Sequence, residues 1–501
     1  MSATAEQVPV VHDGAAPPDP RRWVALAVIA IAQLMVVLDA TIVNIALPSA
    51  QRALDITDAN RQWVVTAYTL AFGGFLLLGG RIADYWGRKR TFMVGAVGFA
   101  VASAVGGFAQ NGEMLFAARA LQGVFGALLA PASLALLTVL FTEARERAKA
   151  FAVYGAIAGG GSAVGLLLGG VLTEYANWRW CLLVNIPVAI VALALAIPLV
   201  PESKAAGNTR YDVPGALVVT LGLASLVYGF TEAAKPDEGW GSGTTWAFIG
   251  AGLVLLVVFV VIQRRVRNPL LPLRIVLDRN RGGAYLTSML VGAGLFGSFL
   301  FLTLYLQNVL GYKPLEAGFA SLPVTVGVLV SATVASNLMP RIGPKPMMVA
   351  GPILAAVGMF ILRFVGLDTS FWLHLMPAQV LLGLGLGFTF VPLSSLALIG
   401  VPQHDAGAAS AALNATQQVG GSLGTALLNT IATSAIAAYA TSHLPKSPQD
   451  APRAGLLAQV DGYSAAFTWA AVLILLATVV AAVLIKVNKD DLPAAESVPM
   501  A

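Results

Sequence analysis

Residues 80–90 of this chain read GRIADYWGRKR, and residues 340–345 read PRIGPK. Each segment follows a long apolar run, and aligning Gly87 with Gly343 sets an offset of 256 residues. The same offset moves the start of the first apolar run, near residue 23, to about residue 279, and the ninth run begins near residue 282. The chain is therefore expected to contain two related halves.

Fourteen apolar runs of about 20 residues surround these segments, and this is the length of a helix that crosses a bilayer. We expect an all-α polytopic membrane protein with fourteen transmembrane helices, made of two six-helix bundles and an inserted helix pair. The expected divisions are a disordered cytoplasmic N-terminus (1–22), the first bundle (23–200), the inserted spans 7 and 8 (213–263), a basic cytoplasmic linker (264–281), the second bundle (282–486) and a cytoplasmic tail (487–501).

The composition excludes several classes of protein. Hydrophobic residues make up 57% of the chain and charged residues 11%, against about 45–50% and about 25% in soluble domains. This balance excludes a cytosolic globular enzyme and a disordered chain. The single cysteine, Cys181, and four widely spaced histidines offer no disulfide framework and no metal site. No GxxxxGK[ST] loop is present, so transport driven by ATP bound to this chain is not expected.

The distribution of lysine and arginine predicts the orientation of the spans. With the N-terminus inside, the inner segments hold 21 of the 30 basic residues, the outer segments hold seven, and Arg119 and Arg363 lie within spans. Cytoplasmic loops are enriched in basic residues, so both termini are expected in the cytoplasm. The net charge of +5 then follows from topology, and no nucleic-acid partner is expected.

Two charged residues lie deep within spans, where charges are costly and usually functional. Asp39 lies nine residues, or roughly 13 Å, below Pro48 at the outer end of span 1. Arg119 lies six residues, or roughly 9 Å, below Glu113 at the outer end of span 4. The similar depths predict that Asp39 and Arg119 can share one pocket. A midplane cavity between two six-span halves is typical of transporters in which one half rocks against the other.

Two interpretations of this pair remain open. In the first, Asp39 takes up and releases a proton during transport and Arg119 biases its protonation, because burial favours a neutral carboxyl and a nearby cation favours a carboxylate. In the second, both side chains are hydrogen-bonded structural groups that hold spans 1 and 4 together. A non-transporting sensor or scaffold is a further alternative, for which Asp39→Asn would leave every phenotype intact.

The segment 80–90 is expected to form a conformational latch. A preference for cytoplasmic basic residues explains Arg88 and Lys89, but it does not explain Asp84 or the glycines Gly80 and Gly87. A carboxylate at a helix end can dock against the positive amino terminus of a neighbouring helix. Such a contact would act on the populations of conformational states, not on the substrate.

Span 5 contains glycines at a spacing of four, which lets helix backbones approach closely. We interpret them as tight packing that provides a hinge or a seal between the halves. The glycines of this motif are Gly161, Gly165, Gly169 and Gly170.

Polar side chains within the apolar runs are candidates for the wall of a substrate cavity. Facing lipid would leave them without hydrogen bonds, so they either line the cavity or bridge helices. Three of them share one helix face of span 13 at spacings of three and four. The candidates are Gln33, Asn44, Tyr68, Gln122, Tyr305, Asn308, Gln379, Asn414, Gln417 and Gln418.

Several motifs match family signatures. Residues 80–90 match G-x-x-x-D-x-x-G-R-K/R, residues 38–48 match L-D-x-T-I-V-N-x-A-L-P, residues 119–123 match R-x-x-Q-G, and residues 178–187 match the start of span 6. Over roughly residues 23–486 the chain resembles the major facilitator superfamily. It is most similar to the fourteen-span drug:proton antiporter branch, the quaternary-ammonium and multidrug exporters.

The resemblance implies roles for individual residues. Asp84 would be a latch carboxylate that docks near the start of span 13, which follows residues 404–405. Arg119 would take part in proton coupling, and Asp39 in protonation and substrate recognition. The span 5 signature G-x-x-x-G-P-x-x-G-G reads here with Leu166 in place of the proline, so close packing is expected without a proline kink.

The expected function is export of amphipathic or lipophilic drugs or antibiotics by H⁺ antiport and alternating access. The alternative is a facilitator-type carrier for a defined metabolite or lipid, which would be strictly selective. We expect a multi-pass protein of the bacterial cytoplasmic membrane that works as a monomer and is not an enzyme. The expected partners are a small lipophilic or cationic substrate, protons and the lipid bilayer, with no metal and no cofactor.

Overall fold

The structure is a computed structural model, and it describes residues 21–141, 143–204, 212–235, 239–267, 269–399, 401, 406–445 and 447–487. All regular secondary structure in these residues is helical. Almost all of the predicted N-terminal segment 1–22 and of the predicted tail 487–501 lies outside this part of the chain, so both stay predictions.

The long helices of the described residues are numbered in chain order. They are α1 (Arg22–Ala53), α2 (Trp63–Trp86), α3 (Arg88–Gly107), α4 (Gly112–Leu140), α5 (Ala144–Tyr175), α6 (Trp180–Leu199), α7 (Val213–Ala233), α8 (Gly243–Arg265), α9 (Arg279–Val309), α10 (Pro314–Ile342), α11 (Pro344–Leu362), α12 (Phe371–Leu398), α13 (Ala406–Ser442) and α14 (Ala451–Leu484). α9 ends in a π-helical turn, Tyr305–Val309, and α12 begins with another, Phe371–Leu375. A one-turn helix, Leu273–Val276, lies in the linker between α8 and α9.

Thirteen of these helices are long and apolar enough to cross a membrane, counted over the described residues. The other, α5, is 32 residues long, and several of its side chains lie outside the described part. These helices confirm the expected all-α polytopic membrane protein. The number of fourteen spans is consistent with them and stays a prediction.

Helices α1–α6 and α9–α14 form two bundles that repeat one packing arrangement. In the first bundle, a Cβ atom at Gly123 of α4 would collide with the carbonyl oxygen of Tyr68 in α2. In the second, a Cβ atom at Gly383 of α12 would collide with the carbonyl oxygen of Val324 in α10. Tyr68 and Val324 are 256 residues apart, which is the offset between the two halves of the sequence.

Helix α7 of the inserted pair lies at the seam between α2 and α13, and α8 packs against α7. Gln62 Nε2, at the start of α2, donates to Thr231 Oγ1 in α7 at 2.7 Å. Thr430 Oγ1 in α13 donates to the carbonyl oxygen of Phe230 in α7, also at 2.7 Å. One end of α7 is therefore bonded to both bundles.

The two membrane faces of the molecule differ in how the bundles meet. We call the face at which α1 begins and α14 ends the terminal face, and the opposite face the distal face. Direct hydrogen bonds between described residues of the two bundles lie in the middle and distal parts of the helices, so the cleft between the bundles is closed at the distal face. They join Thr69 to Ser422, Gln307 to Ile45, Leu315 to Glu174, Arg61 to Asn429, and Asn429 to Asp58 and Ala59.

The span 5 glycines lie where α5 contacts its neighbours, and α5 continues uninterrupted through Leu166. Three of them face α1: Gly161, Gly165 and Gly169. An added Cβ atom at Gly169 would lie 2.9 Å from the carbonyl oxygen of Ile42. Gly170 instead faces the second bundle, where a Cβ atom would lie 2.6 Å from Leu315 Cα in α10. Packing inside the first bundle therefore involves three of the glycines, and the distal closure involves the fourth.

We expect Gly169→Ala to lower the apparent melting temperature of the purified protein in detergent. The added methyl group has no room beside the backbone of Ile42, and overpacking of this kind costs about 1–3 kcal/mol. Gly160→Ala in the same helix is the matched control, because no atom lies within 4 Å of a Cβ atom there. A Gly169→Ala protein as stable as the Gly160→Ala protein would contradict the described contact.

Candidate functional site

Asp39 and Arg119 meet inside the first bundle. Asp39 in α1 has no exposed surface, and Arg119 in α4 is 1% exposed. Arg119 Nη1 donates to Asp39 Oδ2 at 2.5 Å. The structure thus brings together the two charged residues whose similar depths predicted a shared pocket.

Two amides hold the other oxygen of Asp39. Gln122 Nε2 in α4 donates to Asp39 Oδ1 at 2.8 Å, and Asn185 Nδ2 in α6 donates to the same oxygen at 2.9 Å. Both amides also donate to Ser103 Oγ in α3, at 2.7 Å and 3.2 Å. Residues of four helices, α1, α3, α4 and α6, are therefore joined in one hydrogen-bonded cluster. We call Asp39, Ser103, Arg119, Gln122 and Asn185 the Asp39 cluster.

The guanidinium of Arg119 has further partners besides the carboxylate. Its Nε donates to the carbonyl oxygen of Val64 in α2 at 2.9 Å, and its Nη1 also donates to Gln122 Oε1 at 2.8 Å. The guanidinium carbon lies 4.5 Å from the ring centroid of Tyr68, a favourable cation–π geometry. Arg119 is therefore held in place by α2 and its own helix as well as by Asp39.

A buried ion pair of this kind can respond to a proton. Charges removed from water are tolerated only with close partners and complete hydrogen bonding, and three donors surround the Asp39 carboxylate. A proton on Asp39 would cancel its charge and leave Arg119 with neutral acceptors alone. In the proton-coupling interpretation, this loss of charge would change the way α1 is held. The same geometry also satisfies the structural interpretation, in which the cluster locks the helices together.

The segment 80–90 joins α2 to α3 at the terminal face. Arg88 Nη2 donates to Asp84 Oδ1 at 3.1 Å. Gly87 has a φ of +132°, which residues with a side chain rarely adopt. Lys89 Nζ donates to the carbonyl oxygen of Ile197 in α6 at 2.7 Å. This segment is therefore tied to both of the helices that it connects and to α6.

Glu202, directly after α6, fixes the start of α3. Its carboxylate accepts the backbone N–H groups of Lys89 and Arg90, each at 3.2 Å, and so caps the helix. Gly80 is not required by packing, since a Cβ atom there would lie 3.7 Å from its neighbour Pro131. The predicted docking of Asp84 near the start of α13 involves residues 402–405, which lie outside the described residues, and it stays a prediction.

Four of the ten cavity candidates belong to the first bundle. Tyr68 and Gln122 lie in or against the Asp39 cluster. Gln33 and Asn44 are half-buried on α1, and the Tyr154 hydroxyl donates to Gln33 Oε1 at 2.7 Å. Helix α1 thus has a polar contact with α4 through Asp39 and another with α5 through Gln33.

Three candidates form a polar strip on the terminal half of α13. Asn414 is exposed, and Gln417 and Gln418 are half-buried. Gln418 lies beside Gly73 of α2, where an added Cβ atom would be 2.9 Å from Gln418 Cβ. Gln418 therefore lies where α13 packs against α2 of the first bundle.

The remaining three candidates lie in the distal part of the second bundle. The Tyr305 hydroxyl donates to the carbonyl oxygen of Gly366 at 2.7 Å. Asn308 lies next to the Tyr463 hydroxyl. Gln379 is fully buried, and neither atom of its amide has a partner among the described residues. The ten candidates therefore do not form one continuous wall.

Sequence reasoning did not include Asn185 and Ser103 among the site residues. Asn185 could have been found, because an amide within the apolar run of span 6 is unsatisfied if it faces lipid. Ser103 gave no such signal, because a serine hydroxyl can be satisfied by the backbone of its own helix.

Comparison with known proteins identifies relatives along almost the whole chain. A model of the Major Facilitator Superfamily matches residues 29–425. The puromycin resistance protein pur8 of Streptomyces alboniger is 51% identical over 482 residues, which cover 95% of this chain and 94% of that protein. The cephamycin export protein CmcT of Amycolatopsis lactamdurans is 38% identical, with 81% and 84% covered. The tetracenomycin C resistance and export protein of Streptomyces glaucescens is 32% identical, with 88% and 83% covered.

Solved structures share the fold. A bacterial homologue of the human lysosomal transporter Spinster, in an inward-facing and unoccupied conformation, has a TM-score of 0.65 and 15% identity, with 96% of this chain and 100% of that chain covered. At this identity the likeness shows the fold alone. The family model and the relative at 51% identity show more: this chain belongs to the Major Facilitator Superfamily.

Proposed function

We propose that this protein is a transporter that exports amphipathic or lipophilic antibiotics or drugs by proton antiport with alternating access. It lies in the bacterial cytoplasmic membrane with both termini in the cytoplasm, so that the distal face is the outer face. It works as a monomer, uses protons as the coupling ion, and needs no cofactor, metal or nucleic acid.

The names of the relatives support the substrate class. They refer to resistance to puromycin, export of cephamycin, and resistance to and export of tetracenomycin C. Movement of an antibiotic out of the cell is what these names share. The 51% identity over 482 residues makes puromycin the first substrate to test.

The burial of Asp39 against Arg119 is the observation that carries the proposed proton coupling. A carboxylate inside a membrane span is costly and usually functional. Charge-assisted hydrogen bonds are roughly twice as strong as neutral ones, so protonation of Asp39 would weaken its bonds to Arg119, Gln122 and Asn185 together. Helix α1 would then be held less firmly against α4 and α6.

Helix α1 also connects the Asp39 cluster to the distal closure. The carbonyl oxygen of Ile45 accepts Gln307 Nε2 from the second bundle at 2.9 Å. Ile45 is six residues, or about 9 Å, beyond Asp39 in the same helix. A shift of α1 on protonation would therefore move a residue that joins the two bundles. This continuity supports coupling between proton uptake and opening of the cleft.

The polar strip on α13 supports entry of substrate from the terminal face. Asn414, Gln417 and Gln418 provide amide donors and acceptors among the apolar side chains of the terminal half of α13, and Gln418 lies beside α2 of the first bundle. A few placed polar groups in an apolar site suit an amphipathic molecule.

Asp39→Asn is expected to abolish transport driven by a pH gradient. Proteoliposomes would be loaded with a fluorescent lipophilic cation or with puromycin, and substrate movement would be followed after a pH gradient is imposed. The variant cannot exchange a proton at position 39, so the imposed gradient has no effect on its substrate movement. Wild-type protein is expected to move substrate against the direction of proton flow.

Asp212→Asn is the matched control for this experiment. Asp212 is also buried, at 4% exposure, and accepts Gln263 Nε2 at 2.6 Å within the inserted pair. It lies outside the Asp39 cluster, so this variant is expected to keep gradient-driven transport. Equal gradient-driven movement by the wild type and Asp39→Asn would remove Asp39 from the coupling role. A folded wild type that moves neither compound would favour the selective carrier.

The ion pair also predicts a rescue of stability. Arg119→Gln leaves the Asp39 carboxylate buried without its cation, and breaking a buried pair in this way costs about 3–5 kcal/mol. Adding Asp39→Asn removes the stranded charge, so the double variant is expected to be more stable than Arg119→Gln alone. Thermal unfolding of the purified variants in detergent measures both effects.

A second double variant separates this rescue from general effects. Asp212→Asn combined with Arg119→Gln removes a different buried carboxylate and is expected to recover nothing. If Asp39→Asn also recovers nothing, the two residues do not act as an ion pair.

A further inference from the structure

Arg61 is a buried cation at the distal seam between the bundles. It lies just before α2 and is 2% exposed. Its Nε donates to Asn429 Oδ1 in α13 at 3.1 Å, and its Nη1 donates to Asp58 Oδ1 at 3.0 Å. The positive-inside count places Arg61 in an outer loop, where a solvated side chain is expected. The structure places it instead against the second bundle.

Asn429 completes the contact from the opposite side. It has no exposed surface. Its Nδ2 donates to the carbonyl oxygens of Asp58 at 2.9 Å and Ala59 at 3.4 Å. The Asn429 amide therefore makes hydrogen bonds to the first bundle through both of its polar atoms: Oδ1 accepts one and Nδ2 donates the others. We call Arg61 and Asn429 the distal latch.

Two aromatic residues of the second bundle lie near the Arg61 guanidinium. The Arg61 guanidinium carbon lies 5.8 Å from the ring centroid of Phe301 in α9, within cation–π range. The Tyr463 hydroxyl of α14 lies close to Arg61 as well. Three helices of the second bundle, α9, α13 and α14, thus contact one side chain of the first bundle.

We propose that the distal latch holds the outer side of the transporter closed and that it separates in every transport cycle. Its bonds between bundles join neutral groups to the cation or to each other: an amide, two carbonyl oxygens and an aromatic ring. The acidic partner of Arg61, Asp58, belongs to the same bundle as Arg61 and stays with it when the bundles part. Separating the distal latch therefore breaks no ion pair between described residues of the two bundles, which suits a contact that opens repeatedly.

Arg179 provides a matched comparison within the same bundle. It also lies at the distal face. Its guanidinium carbon is 4.6 Å from the ring centroid of Trp178, and its Nη1 donates to the carbonyl oxygens of Gly107 and Ala109. All of these contacts lie inside the first bundle. Loss of Arg179 is therefore expected to loosen that bundle without opening the cleft.

The test measures the distance between the bundles with spin labels. The buried native cysteine is replaced by Cys181→Ser, and labels are attached through Arg52→Cys on the first bundle and Lys313→Cys on the second, both exposed. Double electron–electron resonance in lipid nanodiscs, without substrate or a pH gradient, gives the populations of closed and open distances. Comparing these populations between variants under one set of conditions requires no knowledge of orientation in a membrane, of proton coupling or of the drug exported.

Arg61→Gln and Asn429→Ala are each expected to raise the ratio of long to short distances about tenfold, the change that 1.4 kcal/mol produces. Arg179→Gln is expected to leave the ratio unchanged. Gel filtration and melting temperature check that each variant is folded, and Asn429→Ala provides the test if Arg61→Gln does not fold. The proposal is overturned if neither latch variant changes the ratio, or if Arg179→Gln changes it equally. This inference assumes alternating access, but failure of proton antiport in proteoliposomes would leave it standing.

Discussion

The buried carboxylate of Asp39 needs an opposite charge and hydrogen-bond donors, and the first bundle is arranged to provide them. Asp39 has no exposed surface, and a buried charge is tolerated only beside an opposite charge and a full set of donors. Arg119 provides the charge, and Gln122 and Asn185 provide the donors. Helices α1, α4 and α6 must therefore converge at one depth in the membrane. Apolar packing alone would not select that depth, because the surrounding side chains are interchangeable hydrocarbons.

Helix α1 is the element through which this requirement reaches the second bundle. Asp39, Ile42 and Ile45 follow one another at intervals of three, and each faces a different partner. Asp39 binds Arg119 of α4. The backbone of Ile42 is approached by Gly169 of α5, and the carbonyl oxygen of Ile45 accepts a hydrogen bond from Gln307 of the second bundle. A displacement of α1 must therefore be accommodated by α5. The next residue of α5, Gly170, touches α10 across the seam, so both helices end at the same closure.

Sequence reasoning predicted the features that follow from counting residues along the chain and along single helices, and it missed contacts that no sequence pattern marks. The offset of 256 residues was visible in the sequence, and the packing of Tyr68 and Val324 repeats it. The depths of Asp39 and Arg119 follow from counting residues along two helices. Arg61 was counted only as one of the seven outer basic residues, because no local pattern shows that it binds Asn429, 368 residues later. The polar candidates were identified individually from the sequence. Which of them face the other bundle and which face the interior of their own depends on the rotation of each helix about its axis, and a few polar residues in an apolar run do not determine that rotation.

The two bundles share a backbone arrangement but differ in charge, and this difference has a physical reason. Arg119 precedes Gly123 by four residues, and Gln379 precedes Gly383 by four, so both side chains occupy the same place relative to an equivalent helix crossing. Arg119 has a carboxylate partner, whereas the Gln379 amide has no partner among the described residues. Under the proposed coupling, protonation of one buried pair would suffice to bias the equilibrium between states, and a second buried ion pair would only add its own desolvation penalty. The neutral Gln379 amide at the equivalent position of the second bundle avoids that penalty, so the proposed coupling would need a proton in the first bundle only.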